Sequence, residues 1–419
     1  MTPRLSLASG AILLMASTAV RGQSAKEWTT INNGLTCPYV SSIAIHPAAI
    51  YLGTAEGCFR SLDMGSTWEN STAAAGCAGL TVGDIVVVPD RPELVYFGTF
   101  AHGVYKSADG GGTWTPINEG LPTRRVMRLA VHPADPSILF AGPDGKGIYR
   151  SLDAGLTWTA CGPGKDVRCF AIDLVTPDVL YASTESWVKK TTDGGRTWSL
   201  LANGLPVPYV AGLCLAPSEP SVLYAGPSEF GVYKSADAGQ SWSWSGAGLP
   251  AQTDMRILVV DPLASRIVYG AAYDHGAWRS LDGGETWSAF NEGLEGYSVL
   301  TVAVDPSDPS RLYAGTAANG VFVRRSPAHS CFRRGDANAD GRHDIADAVF
   351  ILRTVFGQMS NDCLDASDID DNGLVDMIDG VCVLGYLFGN GRAPAAPFLS
   401  CGADGTADSL DCAGHASCE

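Results

Sequence analysis

Apolar residues along this chain fall in short runs, separated by turns rich in Gly, Pro, Asp and Ser. The stretch Val302–Val323, VAVDPSDPSRLYAGTAANGVFV, shows the pattern: an apolar strand, a Pro-rich turn, a second strand ending in Gly-Thr, a loop and a third strand. Runs this short, rich in Val, Tyr and Phe and bounded by turn residues, predict β-strands. An octapeptide then leads into a fourth strand, as in TWTPINEGLP from Thr113. It occurs six times: SLDMGSTW (Ser61–Trp68), SADGGGTW (Ser107–Trp114), SLDAGLTW (Ser151–Trp158), TTDGGRTW (Thr191–Trp198), SADAGQSW (Ser235–Trp242) and SLDGGETW (Ser280–Trp287). The spacings are 46, 44, 40, 44 and 45 residues.

Four strands repeated at this period predict the blade of a β-propeller. The first-strand unit recurs near Ile43, Ile85, Leu129, Ala171, Leu213, Leu258 and Val302, one more time than the octapeptide. The seventh unit stops at Val323-Arg-Arg-Ser326 without a fourth strand. Trp28-Thr-Thr-Ile-Asn-Asn-Gly-Leu35 matches Trp114-Thr-Pro-Ile-Asn-Glu-Gly-Leu121 and supplies the missing strand. The expected fold is therefore mainly β: a seven-bladed β-propeller over residues 23–326, closed by its N-terminal strand. Closure leaves no exposed sheet edge at the seam.

In the octapeptide, Gly permits positive φ, the hydroxyl and the Asp carboxylate accept turn amides, and Trp buries a large ring. The pattern resembles the Asp-box (BNR) repeat of sialidases, sortilin-type receptors, xyloglucanases and photosystem II assembly factors. That resemblance implies structural roles at the blade periphery for Asp63, Asp109, Asp153, Asp193, Asp237 and Asp282. A basic residue precedes each box: Arg60, Lys106, Arg150, Lys190, Lys234 and Arg279. These read as salt-bridged strand ends in preference to a cationic ring for acidic polymers.

Propellers place function on the loops of one face. The candidate binding-face residues are Glu56, His102, Glu185, Trp187, Glu229, Tyr273, Asp274 and His275 in loops between second and third strands, with Arg168 and Arg256 at equivalent starts of innermost strands. Trp187, Tyr273 and Phe230 either stack on a ligand or pack their own loops. Sialidase chemistry fits poorly, because that family has six blades and an Arg-Ile-Pro motif missing here. The xyloglucanase resemblance implies a catalytic Asp in the first blade's loop between strands two and three; Ala55 takes that place, beside Glu56. No GxSxG or HExxH motif occurs, and the His residues lack metal spacing.

Charge divides the chain. The formal net charge is −16, of which −10 falls on residues 327–419. This excludes a basic nucleic-acid-binding surface. The acids are spaced at intervals: Asp336, Asn338, Asp340, Arg342 (by its carbonyl), Asp344 and Asp347 form one loop pattern, and Asp368, Asp370, Asn372, Leu374 (by its carbonyl), Asp376 and Asp379 repeat it 32 residues on. With Gly341 and Gly373 at position six, each loop offers the hard oxygen set that Ca²⁺ requires, giving two predicted calcium sites. Each loop runs into an apolar helix. Loop–helix twice over resembles a dockerin, which implies a small α-helical calcium-binding domain at 327–392 and a cohesin-like or other extracellular docking partner. A Cys-containing tail, 393–419, follows.

The first 22 residues read as a secretory signal peptide, and no later stretch is long and apolar enough to span a membrane. Twelve Cys fit export. Cys161 and Cys169 are near enough in sequence to pair, as are two among Cys37, Cys58 and Cys77, whereas Cys214 and Cys382 read as buried thiols. The functional expectation is a secreted, extracellular or surface-associated propeller that binds a glycan or protein without catalysis, tethered by the calcium module. The alternative is a glycoside hydrolase tethered in the same way.

Overall fold

The computed structural model describes residues 27–73, 79–325, 335, 337, 342–356, 366–370, 374–389 and 393–394. The predicted signal peptide therefore lies outside the described residues, as do Asp336, Asn338, Asp340, Asn372, Cys77 and most of the C-terminal tail.

Seven four-stranded antiparallel sheets form the blades. Their first strands are Val40–His46, Val82–Val88, Val126–Val131, Val167–Ile172, Val210–Ala216, Met255–Val260 and Val299–Val304. Each packs on the first strands of both neighbouring blades, round to blade 7 against blade 1, so the ring is complete. Six blades run in sequence order; in the seventh, Thr29–Thr30 pairs with Val321–Arg325 as the fourth strand. The predicted closure by the N-terminus is thus realised. Trp28 seals the seam: its indole N–H donates to Phe290 O at 2.7 Å, and its ring meets Phe290 edge-on with centroids 5.7 Å apart.

The octapeptides fold alike in all six copies. In the first, Thr67 N–H and Oγ1–H donate to Asp63 at 2.8 and 2.6 Å, Ser61 Oγ donates to Asp63 at 2.7 Å, and Gly65 N–H donates to Ser61 Oγ at 2.7 Å. Bonds of this kind favour the ionised carboxyl. At Asp109 and Asp237 they lower the pKa to about 2, led by the Thr113 amide and the Ser241 hydroxyl respectively. The fourth residue of every box takes positive φ: Met64, Gly110, Ala154, Gly194, Ala238 and Gly283.

That turn points its carbonyl at the preceding blade. Arg60, Lys106, Arg150, Lys190 and Lys234 each donate to the fourth-residue carbonyl of the next blade's box, and Tyr51, Tyr181, Tyr224 and Tyr313 add a phenol to such carbonyls. The basic residues expected as salt-bridged strand ends do pair there in two cases, Arg60 with Glu69 and Lys234 with Glu285, and five of the six are inter-blade latches as well. Arg279 has no box ahead of it, because the N-terminal strand takes the seam, and it lies over Phe290 at 4.8 Å instead. Between blades the core is closed by the box Trp residues and by clusters such as Tyr51, Val82, Ile85 and Phe97.

The disulfide expectations are corrected. Cys37, Cys58, Cys161, Cys169, Cys214 and Cys382 are all free thiols. Cys161 lies in the outermost strand of blade 3 and Cys169 in the innermost strand of blade 4. Proximity in sequence is undone because the chain crosses the full width of a blade between them, roughly three strand spacings of about 4.8 Å.

Among the described residues beyond the propeller are two helices, α1 (Ile345–Val355) and α2 (Met377–Phe388), packed together through Ala348, Ile351 and Val383. Asp344 and Asp376 cap them, each within a capping box completed by Asp347 or Asp379. Among the described residues no helix is long and apolar enough to cross a membrane.

Candidate functional site

Every predicted binding-face residue lies on one end of the ring. Glu56, His102, Glu185, Glu229, Tyr273, Asp274 and His275 follow second strands, Trp187 opens a third strand, and Arg168 and Arg256 begin first strands. A recurring backbone bond fixes these loops. In blades 2 to 7 the residue after the second strand donates to the residue before the first strand of its blade, as in Phe100 to Thr81, Asp144 to Arg125, Glu185 to Asp166, Ser228 to Tyr209 and Tyr273 to Asp254, at 2.8–3.3 Å. The Thr strand endings add a second tie: Thr54, Thr99, Thr184 and Thr316 each donate through Oγ1 across their loop. Rigid strands and tied loops hold the side chains in place.

The face surrounds a channel of about 660 Å³ lined by the first strands, with Tyr39, Phe100, Tyr209, Arg168 and Arg256 among its lining. Within it, Arg128 donates to Arg168 O, Gly83 O and Met127 O. Asp84 accepts the amides of Ile85 and Leu129, and burial raises its carboxyl above the usual range, against the opposing pull of Arg128.

Polar chemistry at the mouth is concentrated on blades 3 to 6, and it is paired. Arg168 meets Asp166 at 3.5 Å and stacks on Tyr209, with its guanidinium carbon 4.9 Å from the ring centre. Arg256 meets Asp254 at 2.8 Å and stacks on Tyr273 at 4.0 Å. Arg125 meets Asp144 at 3.7 Å and lies over Phe100 at 5.5 Å, and Lys165 meets Glu185 at 3.6 Å. Exposed ion pairs of this kind contribute about 0–1 kcal/mol each, so their effect is more to orient the guanidiniums than to stabilise the fold. Glu56 accepts from Thr36 Oγ1 at 3.3 Å. Glu229 and Asp274 are exposed, and their carboxylates have no partner among the described residues.

Two predicted residues take other roles. His275 offers its carbonyl to Trp278 Nε1 at 2.9 Å and so shapes its loop. Trp187 packs against the cluster of Ala171, Leu205 and Val210. It also occupies a place that the other blades give to Gly57, Gly103, Gly147, Gly231, Gly276 and Gly320, all at positive φ. At φ 71° this bulky residue carries strain of about 1–2 kcal/mol. Sequence reasoning missed Tyr209, Trp244 and the acids Asp166 and Asp254. For the acids a signal was present: Asp166-Val-Arg168 and Asp254-Met-Arg256 repeat one Asp-x-Arg pattern at the same blade position.

The second predicted calcium loop brings carboxylate oxygens of Asp368, Asp370 and Asp379 within 4.8 Å of one another. Asp368 and Asp379 are fully buried. Burial, reinforced by Asp368, pushes the Asp379 carboxyl up to about 6. Asp379 also accepts the amides of Ile369 at 2.7 Å and Asp376 at 2.8 Å. Hard oxygen donors, two of them buried, that repel one another suit a cation such as Ca²⁺. Of the first loop, Arg342, Asp344 and Asp347 are described; Asp347 is fully buried and accepts the Asp344 amide at 2.9 Å.

No protein-family model matches this chain, and no curated protein sequence matches it. Solved structures do resemble it. The GH74 xyloglucanase of Xanthomonas campestris superposes with a TM-score of 0.57 at 19% identity, over 72% of this chain and 53% of the enzyme. YCF48 from Cyanidioschyzon merolae gives 0.56 at 15% identity over 72% of this chain and 99% of that one. A YCF48 bound to D1 peptide gives 0.56 at 14%, over 70% and 95%. The chain thus spans about half the length of the xyloglucanase and nearly all of YCF48. At these identities the likeness defines a class by fold, the seven-bladed β-propeller shared by glycoside hydrolases and by a peptide-binding protein.

Proposed function

We propose that this protein is a secreted, non-catalytic binding propeller that recognises an extracellular glycan or protein at the channel mouth. The observation that carries this reading is the pairing of charge on the face. Asp166, Asp254, Asp144 and Glu185 each hold a neighbouring cation, and three of those cations are laid on aromatic rings. Orientation of this kind serves recognition, whereas a glycosidase needs two carboxylates free to act across a bond. In the same reading, Asp368, Asp370 and Asp379, and the equivalent loop of Asp347, hold Ca²⁺ and organise a dockerin-like helix pair that docks onto a cohesin-like or other extracellular partner. The ion supplies charge compensation there; the chain supplies caps and apolar packing.

The second reading is a glycoside hydrolase. It is favoured by the xyloglucanase likeness and by the exposed, unpartnered carboxylates of Glu229 and Asp274 on neighbouring blades. Incubation of the full chain with xyloglucan, mixed-linkage glucan and galactomannan separates the two. The binding reading expects retention without new reducing ends, and release of reducing ends that stops in Glu229→Gln or Asp274→Asn would establish the hydrolase.

A further inference from the structure

We propose that blades 4 and 5 carry an aromatic platform for a neutral polysaccharide chain, centred on Trp244 and Phe230. This rests on the binding reading above and names the ligand class.

In blades 2, 6 and 7 the start of the third strand is held by an Asn: Asn118, Asn291 and Asn32 accept the amides of Val104, Ala277 and Val321 at 2.6–2.8 Å. Blade 1 uses Thr72 to hold Cys58. Blades 3, 4 and 5 have Gly162, Ala202 and Gly246 at the corresponding place, four residues after the box Trp. Blade 3 fills that space with the next box indole, Trp198; in blades 4 and 5 another indole stands nearby. Trp187 replaces the usual glycine in blade 4, and Trp244 occupies the fourth strand of blade 5, where other blades have Asn70, Pro116, Ala160, Leu200, Ala289 and Thr30.

Trp244 lies on a glycine floor. A methyl group built on Gly246 would come within 2.9 Å of its Nε1 and 3.1 Å of its Cε2, and one built on Gly231 would lie 4.0 Å from its Nε1. The indole is nevertheless 59% exposed, while the box Trp residues are buried or half-buried. Phe230, next to Gly231, is 45% exposed. Backbone bonds from Trp187 to Pro208, Ser228 to Tyr209 and Gly231 to Thr253, at 3.0–3.1 Å, join these loops across the two blades.

Backbone strain falls at the same place. Among the described residues, besides Trp187 and three box residues, the non-glycine residues at positive φ are Glu229 and Gln252, and both flank this patch. Strain of this kind concentrates at ligand-holding sites.

The surroundings fit an uncharged, hydroxyl-rich ligand. From Ser235 to Thr253 the sequence has one charged side chain, Asp237, and its carboxylate is spent on Ser235 and Ser241; the exposed Glu229 beside Phe230 adds a carboxylate that can accept from a hydroxyl. An exposed indole set beside glycine backbone can stack on the C–H face of a pyranose, while Ser and Gln side chains nearby offer hydrogen bonds.

Affinity electrophoresis of the full chain through gels containing hydroxyethylcellulose, galactomannan or polygalacturonate tests this. The expected result is retardation by a neutral polymer, weakened about tenfold in Trp244→Ala and Phe230→Ala and largely kept in Trp244→Phe, with unchanged circular dichroism and melting temperature. Retardation of Trp244→Ala equal to wild type would sink the platform while leaving the binding reading intact. Retardation by polygalacturonate alone would likewise sink it and move the ligand to the Arg168–Arg256 arc. No retardation by any polymer overturns it. Reducing-end release with Trp244-dependent retardation would keep the platform and overturn the non-catalytic reading.

Discussion

Tyr96 and Tyr224 occupy equivalent second-strand positions in blades 2 and 5, and both are almost fully buried. They differ in what the phenol meets. Tyr224 donates to Gly283 O at 2.9 Å, whereas the Tyr96 hydroxyl has no hydrogen-bond partner among the described residues. Lys234 also donates to Gly283 O at 2.7 Å, so Tyr224→Phe leaves that carbonyl satisfied and removes one net hydrogen bond, about 1 kcal/mol. Tyr96→Phe removes a buried hydroxyl that carries an unpaid desolvation cost of about 1–3 kcal/mol, so stability is unchanged or rises by about 1 kcal/mol. Blade 3 already has Phe140 at this position, with Arg150 alone holding Gly194 O. For a propeller of this size, 1 kcal/mol corresponds to roughly 2 °C in melting temperature. Scanning calorimetry of both variants should place Tyr224→Phe below wild type and Tyr96→Phe at or above it. Equal losses in the two would refute the latch, showing that the phenols stabilise by some means other than the bond to the next blade.

The same tyrosines set the response to alkali. Burial pushes Tyr51, Tyr96 and Tyr181 up to about 12 and raises Tyr224 and Tyr313 as well. A folded-state pKa above the unfolded value of about 10 gives stability that is full below pH 10 and lost as pH rises to 12. Absorbance at 295 nm and circular dichroism should therefore change together in that window; tyrosinate formation near pH 10 with the fold intact would contradict it. For the helical module, added Ca²⁺ should raise far-ultraviolet helicity, and Asp379→Ala should weaken the effect by about 10-fold or more in Ca²⁺ midpoint. Identical spectra with and without Ca²⁺ would refute the site.

Blade number and closure were legible because periodicity and turn chemistry repeat: six boxes, seven first-strand units and the Trp28 match define the ring without tertiary information. The candidate face was legible as a set of loops. What those loops do was less so, because function there depends on partners from neighbouring blades. Arg168 and Arg256 were visible, and the Asp-x-Arg pattern signalled their acids, but their stacking became evident only once Tyr209 and Tyr273 came beneath the guanidiniums. The basic residue before each box looked like a strand end, since its carbonyl partner lies 48–50 residues away in cases such as Lys106 and Arg60. Trp244 was hidden by its proximity to Trp242: two indoles in alternation look like one buried motif, yet alternate strand residues take different environments according to their neighbours, and the glycine floor could not be read locally. The cysteine pairing failed for the opposite reason, treating nearness in sequence as nearness in a blade.

The central claim is that the face binds without cleaving. Its most direct test is a reducing-end assay on the full chain with xyloglucan, run beside a binding assay on the same preparation. The account predicts retention of the polysaccharide with reducing ends no higher than those of a Glu229→Gln/Asp274→Asn double variant. Steady release of reducing ends by wild type, lost in the double variant, would contradict it.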